Sequence, residues 1–537
     1  MKQFLVAFIC LAILAACVPA TELPTATQTV VPSPSPLPAT NTPTPMPDAL
    51  WVSPAVPAGL LEIAKSWGIP KTDDPALATQ KLDISDTPQG STWIYALVAP
   101  FPTVTDDVTY ADLLSTWKGV PTGPTAGHVI LLAESTLRAL AVLWGEPASG
   151  AVRVVPLDQM VDTAWKESAW AIIPFEDIQP KWKVLSVDGQ SPIHKNFDAS
   201  SYSLKVHFAL SSSSASFVLP ESNRDPSKLA TVILTGVTAL TRATARKMEQ
   251  KGITYPGEVL REMFLKADIL HINNEAPFYS GCPQPDPHQP REVFCSSPRY
   301  IELLTDIGVD VVELSGDHFA DYGDPAMFES IEIYNENHIP YYGGGMNEDD
   351  GKKPLFMEVN GNKIMFIGCD YKTVYATARA TRPGSVRCDF EYMTGQIRTY
   401  RAQGYLPIST FQYNEFPSPE ARSQQEVDYR TMSDAGAVVV SGSQAHVSQV
   451  MEFHNDGFIH YGLGNLFFDQ MGGRGTKITQ DEFIDRHVFY DGKYLGVELI
   501  TAFLEDYSRP RYMTEIERNR FLSQIFDKSG WDFSETR

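Results

Sequence analysis

The chain has 537 residues, of which 43% are hydrophobic and 20% charged, and its formal net charge is −22. That composition is ordinary for a globular protein, and the length allows about two or three domains with cores of their own. The acidic balance argues against a nucleic-acid partner, which requires a basic face.

The chain opens on a targeting segment. Met1-Lys2 supplies a positive start, and the apolar run Phe4–Ile13 is too short for a permanent span. Leu14-Ala15-Ala16-Cys17 follows, and these small residues before a cysteine resemble the lipobox of bacterial lipoproteins. The resemblance implies that 1–17 is a lipoprotein signal peptide. It also implies that Cys17 becomes the lipidated first residue, holding the protein in the membrane on the extracytoplasmic side through more than one acyl chain. Residues 18–48 are rich in Pro, Thr, Ser and Ala, as in Pro32-Ser33-Pro34-Ser35-Pro36. A segment of this kind buries no core and in polyproline II form rises about 3 Å per residue, a spacer of up to roughly 90 Å.

Four cysteines lie beyond Cys10 and Cys17: Cys282, Cys295, Cys369 and Cys388. An exported protein meets a disulfide-permissive compartment, and four cysteines leave three pairings open. The expectation is the local pairing, Cys282–Cys295 and Cys369–Cys388. Their spacing fits no zinc finger.

Residues 49–225 read as a first, smaller α/β domain. Helices are expected over Leu60–Trp67, Tyr110–Trp117 and Ser135–Trp144, and strands over Trp93–Pro100, Gly127–Leu132, Ala169–Pro174 and Trp182–Val187. The runs Tyr95–Phe101, Ile173–Phe175 and Leu185–Gly189 loosely resemble a periplasmic solute-binding lobe. His128 and His194 read as ordinary polar residues. The stretches Ser211–Ser214 and Glu221–Ser227, which carry Ser, Asn, Asp and Pro, mark the connection.

From Leu229 the βα rhythm restarts, and 226–516 read as a second domain with 517–537 as a polar tail. Strands are expected at Thr231–Leu234, Asp268–Ile272, Val309–Leu314, Pro407–Phe411 and Ala437–Val440, with helices up to Lys266 and over Pro298–Ile307, Pro325–Asn337 and Pro419–Ala435. Hairpins turn at Asn360-Gly361 and Asp456-Gly457. Parallel βα units with appended hairpins predict a layered α/β sandwich, and after Arg509 the chain reads as helical or loose.

Five strand ends in this half carry polar groups or a glycine break: Gly236-Val237, Asn273–Glu275, Asp317-His318, Gln412–Glu415 and Ser443–His446. In a mainly parallel sheet these ends share one edge, where open α/β sheets build their sites. Glu275, Asp317, His318 and His446 are therefore expected to converge. Two carboxylates and two imidazoles suit one divalent ion, Zn, Mn or Fe, better than Ca. The alternative is a metal-free acid/base set with His318 or His446 as proton carrier.

Residues 230–500 resemble the CapA-type poly-γ-glutamate capsule biosynthesis family, whose fold is similar to the calcineurin-like metallophosphoesterases. The family's Gly-Asp-x-Met-Leu-Gly-Arg element falls on Gly236–Arg242, and its Asn-Leu-Glu on Asn273-Asn274-Glu275. Its Asn-Asn-His falls on Gly316-Asp317-His318, with Asp321-Tyr322-Gly323 after it. Its His-Trp-Gly falls on Gln412-Tyr413-Asn414, with Glu415 beyond, and its Gly-His-x-Pro-His on Gly442–His446. Ser-Leu-Gly-Asn-Phe falls on Gly462–Leu466, with Asp469 following. Three positions depart from the pattern: Val237 replaces an Asp, and Gln412 and Ser443 replace His, so a two-metal site looks dismantled. The resemblance implies a metallophosphoesterase-type sandwich in a capsule-synthesis lipoprotein. Its hydrolase-like domain would act on an anionic envelope polymer or a small-molecule precursor, with Glu275, Asp317, His318 and His446 as catalytic or metal-binding residues. Substrate contacts would come from Arg242, as a carboxylate or phosphate ligand, and from Asn273, Gln412, Glu415, Gln444 and Asn465. The alternative from another class is a non-catalytic envelope protein that binds a glycan, polyglutamate or small solute.

Overall fold

Two separate sheets organise the second half of the chain, and a third, mixed sheet organises the first. The computed structural model describes residues 48–211, 217–372, 374–471 and 477–531. The expected signal segment, Cys17 and nearly all of the expected linker lie outside the described residues. Asp48–Arg537 form one compact unit.

In the first half the sheet runs Leu50–Val52, Gln80–Ile84, Lys205–Leu210, Ser91–Pro100, Trp170–Pro174, Ile130–Leu132, Val152–Val154. Ser91–Pro100 is its middle strand, buried without a break from Trp93 onward, as a strand covered on both faces must be. Helices Tyr110–Trp117 and Glu134–Trp144 form as the apolar spacing predicts, while the strand expected from Gly127 begins only at Ile130. The core of this half is completed by Leu229, Val488 and Leu495 from the second half.

Glu176 packs under the middle strand, accepting hydrogen bonds from Trp93 Nε1 at 3.0 Å and Asn223 Nδ2 at 2.6 Å. Burial outweighs these bonds and pushes its carboxyl up to about 7. Between the ordinary carboxylate range and that value the folded state holds a proton that the unfolded chain has released. Stability from this group therefore falls as pH rises and is lost above about pH 7. Glu176→Gln fixes the neutral form. Its stability advantage over wild type is expected to grow from near zero at about pH 4 to, at most, about 3 kcal/mol at about pH 8, read by urea melts at both values.

The second half is an αββα sandwich. In chain order its elements begin with β1 (Leu229–Thr235), β2 (Val237–Thr238), α1 (Arg242–Lys251), β3 (Ile269–Asn274), α2 (Ile301–Asp306), β4 (Val311–Glu313), α3 (Gly323–Glu336) and β5 (Tyr341–Tyr342). Next come β6 (Leu355–Val359), β7 (Asn362–Asp370), α4 (Phe390–Arg401), β8 (Leu406–Gln412), α5 (Ser423–Asp434), β9 (Val439–Ser443), β10 (Met451–His454), β11 (Gly457–His460) and β12 (Asn465–Phe467). The last are β13 (Asp481–Tyr490), β14 (Lys493–Glu505), β15 (Arg509–Tyr512) and α6 (Glu515–Lys528). One sheet runs β5-β4-β3-β1-β13-β14-β15, with β2 bridging β3 and β12; the other runs β6-β7-β8-β9-β11-β10.

Alternation along the strands fixes the layering. Val232, Leu234, Ile269 and Val311 face Ile364, Phe366, Ile408 and Val439 across the sheet–sheet core. The residues between them, Ile233, Leu270 and Val312, pack on Met248, Leu303 and Met327 of the helices outside the first sheet. Met365, Ile367 and Val440 do the same against Met393, Ile397 and Met432 of α4 and α5. Polar residues in the sheet–sheet layer pair with one another. Tyr342 OH lies 2.8 Å from both His271 Nε2 and Thr410 Oγ1, and Thr410 donates at 2.8 Å to Glu313.

The Asn360-Gly361 turn forms as expected, with both φ angles positive at 51° and 74°. In the other hairpin His454 pairs with Gly457, so the turn is Asn455-Asp456 rather than Asp456-Gly457. Asn455 takes the left-handed φ of 52°, and Gly457 is instead a strand residue. A Cβ there would lie 2.9 Å from Ala437 O. Beyond Arg509 the chain forms α6, which buries Phe521, Leu522, Ile525 and Phe526.

Candidate functional site at the strand ends

The parallel register brings the strand ends together. Val237 pairs with Asn273 and Asn273 with Glu313; in the facing sheet Asp370 pairs with Gln412 and Gln412 with Ser443. Both sheets thus turn their carboxyl ends to one rim. At Gly316 a Cβ would stand 2.6 Å from both Cα and O of Glu275, so only glycine lets the loop after β4 lie on the Glu275 backbone. That contact sets Glu275, Asp317 and His318 together, each offering a ligand atom within 4.8 Å of the others.

The imidazoles and Asp317 are each oriented by a neighbour. His318 Nδ1 donates to Asp321 Oδ2 at 2.6 Å, which turns Nε2 toward Glu275 Oε1 at 3.6 Å. Asp321 also accepts from the Phe294 backbone at 2.7 Å, and the Phe294 ring lies 4.3 Å from that of His318. The adjoining Cys282–Cys295 disulfide ties down this loop, and Cys369–Cys388 does so beside β7. His446 Nδ1 donates to Asn465 Oδ1 at 2.8 Å, and its Nε2 is 3.4 Å from Glu415. Gln412 Nε2 donates to Asp317 Oδ1 at 3.0 Å and also meets Gln444, while Ser443 Oγ donates to Gln412 Oε1 at 2.9 Å. Gln444 and His446 hold left-handed φ angles of 78° and 54°, a conformation that costs non-glycine residues about 1–3 kcal/mol each.

Sequence reasoning missed one member, Lys372. It follows β7, and its Nζ lies 2.7 Å from Asp317 Oδ2 and 3.6 Å from Glu415 Oε2. Its signal was slight: a lone lysine two residues past the strand end Cys369-Asp370, where no motif element falls.

The electrostatics follow from burial and pairing. Burial pushes the Glu275 carboxyl up to about 7, more than His446 and His318 pull it down. Burial also opposes the charge on His318, but Asp321, Glu275 and Asp317 outweigh it and raise the imidazole to about 9. Asp317 stays below the usual carboxylate range because His318 and Lys372 overcome its burial. His446 is raised, with Glu415 and Glu275 prevailing over burial.

Arg242, the expected anion ligand, is 3% exposed and meets the chain's own Asp469 at 2.5 Å. Its guanidinium lies between the rings of Phe294 at 4.5 Å and Phe468 at 4.9 Å. Val237 packs with Ala239, Ala276, Phe294 and Phe468 in an apolar cluster. Asn273 turns inward, donating to Glu313 at 3.1 Å.

The donor chemistry suits one divalent ion. Among the described residues neither buried Glu275 oxygen has a hydrogen-bond partner, and His318 Nε2, once its proton is displaced, would offer a lone pair beside them. Glu275, Asp317 and His318 would hold such an ion. A second ion is opposed: the apolar Val237 offers no ligand, and the Lys372 ammonium stands 2.7 Å from Asp317 Oδ2.

Residues 231–470 match the profile of a family described as bacterial capsule synthesis protein PGA_cap. Among curated proteins, the chain is 26% identical to the capsule biosynthesis protein CapA of Bacillus anthracis, over 42% of this chain and 55% of that one. It is 25% identical to the PGA biosynthesis protein CapA of Bacillus subtilis (strain 168), over 47% and 66%. The chain thus spans between about half and two thirds of the length of these relatives. A 5'-nucleotidase precursor from Thermus thermophilus is similar over 56% of this chain and 58% of that one, at 9% identity and a TM-score of 0.33, too slight a likeness to add to the fold read from the strands. The domain that carries the rim from Val237 to Asn465 belongs to the CapA-type capsule synthesis family.

Proposed function

We propose that the chain is a cell-envelope protein of capsule polymer synthesis whose sandwich domain hydrolyses an anionic polymer, or a precursor of one, at the rim of Glu275, Asp317, His318 and His446. The observation that carries this reading is the meeting of Glu275, Asp317 and His318 within 4.8 Å at the ends of parallel strands. Its family supports a poly-γ-glutamate or related acidic substrate. An acyl anchor at Cys17 and the Pro/Thr/Ser-rich segment would hold the domain at the membrane surface.

Each residue has a role that its surroundings favour. Lys372 is the cation open to a substrate anion, at 27% exposure against 3% for Arg242. His318, held by Asp321, is charged at neutral pH and gives its Nε2 proton to the leaving group. Glu275, balanced near neutrality, takes a proton from the attacking water. His446, oriented by Asn465, stabilises negative charge that develops on the substrate. A divalent ion held by Glu275, Asp317 and His318 would occupy the atoms that serve these acid and base roles, and would in their place make water nucleophilic and polarise the substrate oxygen.

Purified protein incubated with poly-γ-glutamate, and with phosphoester, amide and peptide substrates, tests the reading. Shortened polymer or released product is expected from the anionic substrates. Tight binding of the polymer with no turnover of any substrate would favour the non-catalytic reading, for which the Gln412–Gln444 amides and the apolar Val237 are the supporting features.

A further inference from the structure

We propose that the ammonium of Lys372 is the chain's own second cation, occupying the position between Asp317 and Glu415 where a second divalent ion would otherwise be held. Two carboxylates flank this position, and an imidazole stands against the far oxygen of one of them. Asp317 Oδ2 is 2.7 Å and Glu415 Oε2 is 3.6 Å from Nζ, and the other Glu415 oxygen is 3.4 Å from His446 Nε2. That donor set is one a divalent metal accepts. A lysine ammonium is a compact charge that supplies electrostatic attraction without coordination. Its repulsion of a nearby metal ion excludes a second ion from the same carboxylates.

Lys372 is built into this place. Its backbone N–H donates to Asp370 Oδ1 at 2.9 Å, and Asp370 is fixed in turn by Ser385 Oγ at 2.9 Å. The preceding Tyr371 stacks on Tyr413 at 4.2 Å, and Cys369, one residue before Asp370, is covalently joined to Cys388. The strand end that presents the lysine is therefore held on three sides. Gln412 completes the exchange: it satisfies Asp317 Oδ1 through an N–H, where a neutral imidazole would have offered a lone pair to a metal.

The inference rests on the rim being the functional site, but its test reads metal stoichiometry rather than turnover, so the two fail separately. The full chain is loaded with Mn2+ or Zn2+, desalted, and its bound metal counted by mass spectrometry, with titration calorimetry alongside. Wild type is expected to hold one equivalent, Lys372→Ala two and Lys372→Arg one. Lys372→Gln, which keeps the bulk without the charge, serves if the alanine variant folds poorly and is also expected to hold two. A rise from zero to one on removing the charge supports the role of Lys372 while refuting the one-ion reading of Glu275, Asp317 and His318. Two equivalents in wild type, or no gain in either uncharged variant, would overturn the proposal.

Discussion

His318→Ala is expected to lower turnover of the anionic polymer by ~10²–10⁴-fold, the usual worth of a positioned general acid. The ring is held by Asp321 at 2.6 Å, so the substitution removes a proton donor whose orientation the fold has already fixed. The loss should fall on kcat more than on KM, because Lys372, which is proposed to bind the substrate anion, is untouched. His318→Gln keeps hydrogen bonding but cannot carry the proton, and it should be nearly as slow. Unchanged hydrolysis in either variant would remove His318 from the mechanism.

Asp469→Ala is expected to destabilise the fold by about 3–5 kcal/mol, because it strands the guanidinium of Arg242 in the interior. The pair is 3% and 2% exposed, and Asp469 also accepts the Ala243 backbone N–H at 2.8 Å at the start of α1. The two flanking rings would still favour the cation but cannot replace a carboxylate. A double change, Arg242→Met with Asp469→Leu, should recover most of the loss, since buried ion pairs seldom outdo apolar packing of similar volume. Urea melts of the three proteins give both values. A loss under about 1 kcal/mol for Asp469→Ala would mean that Arg242 finds water, and with it access to substrate.

The sandwich was legible because its strands are short apolar runs that end in polar residues, as Val311-Val312-Glu313 does before Gly316-Asp317-His318. Helices were harder. Leu157–Glu167 buries only Met160, Val161 and Ala164 within a mostly polar stretch, and α1 reads Arg-Ala-Thr-Ala-Arg-Lys, with no broad apolar stripe. The long β13-β14 hairpin escaped because its Asp485 and His487 are buried charged types: Asp485 is 2.6 Å from His460, and His487 is 2.9 Å from Tyr494. Such residues break the alternation that marks a strand. At the site, spacing and resemblance led to Glu275, Asp317, His318 and His446, which are motif positions. Lys372 belongs to no motif, and only the meeting of the two sheets at one rim sets it beside Asp317. Arg242 looked like a free cation until the fold placed Asp469, 227 residues later, against it.

Whether the rim works as one unit is read most directly by a double-mutant cycle on His318 and His446. Rates of polymer hydrolysis are compared for wild type, His318→Ala, His446→Ala and the double variant. If both imidazoles serve the same reacting centre, the double variant should be little slower than the worse single one. Losses that simply multiply, or a wild-type protein that hydrolyses nothing anionic, would contradict a shared site.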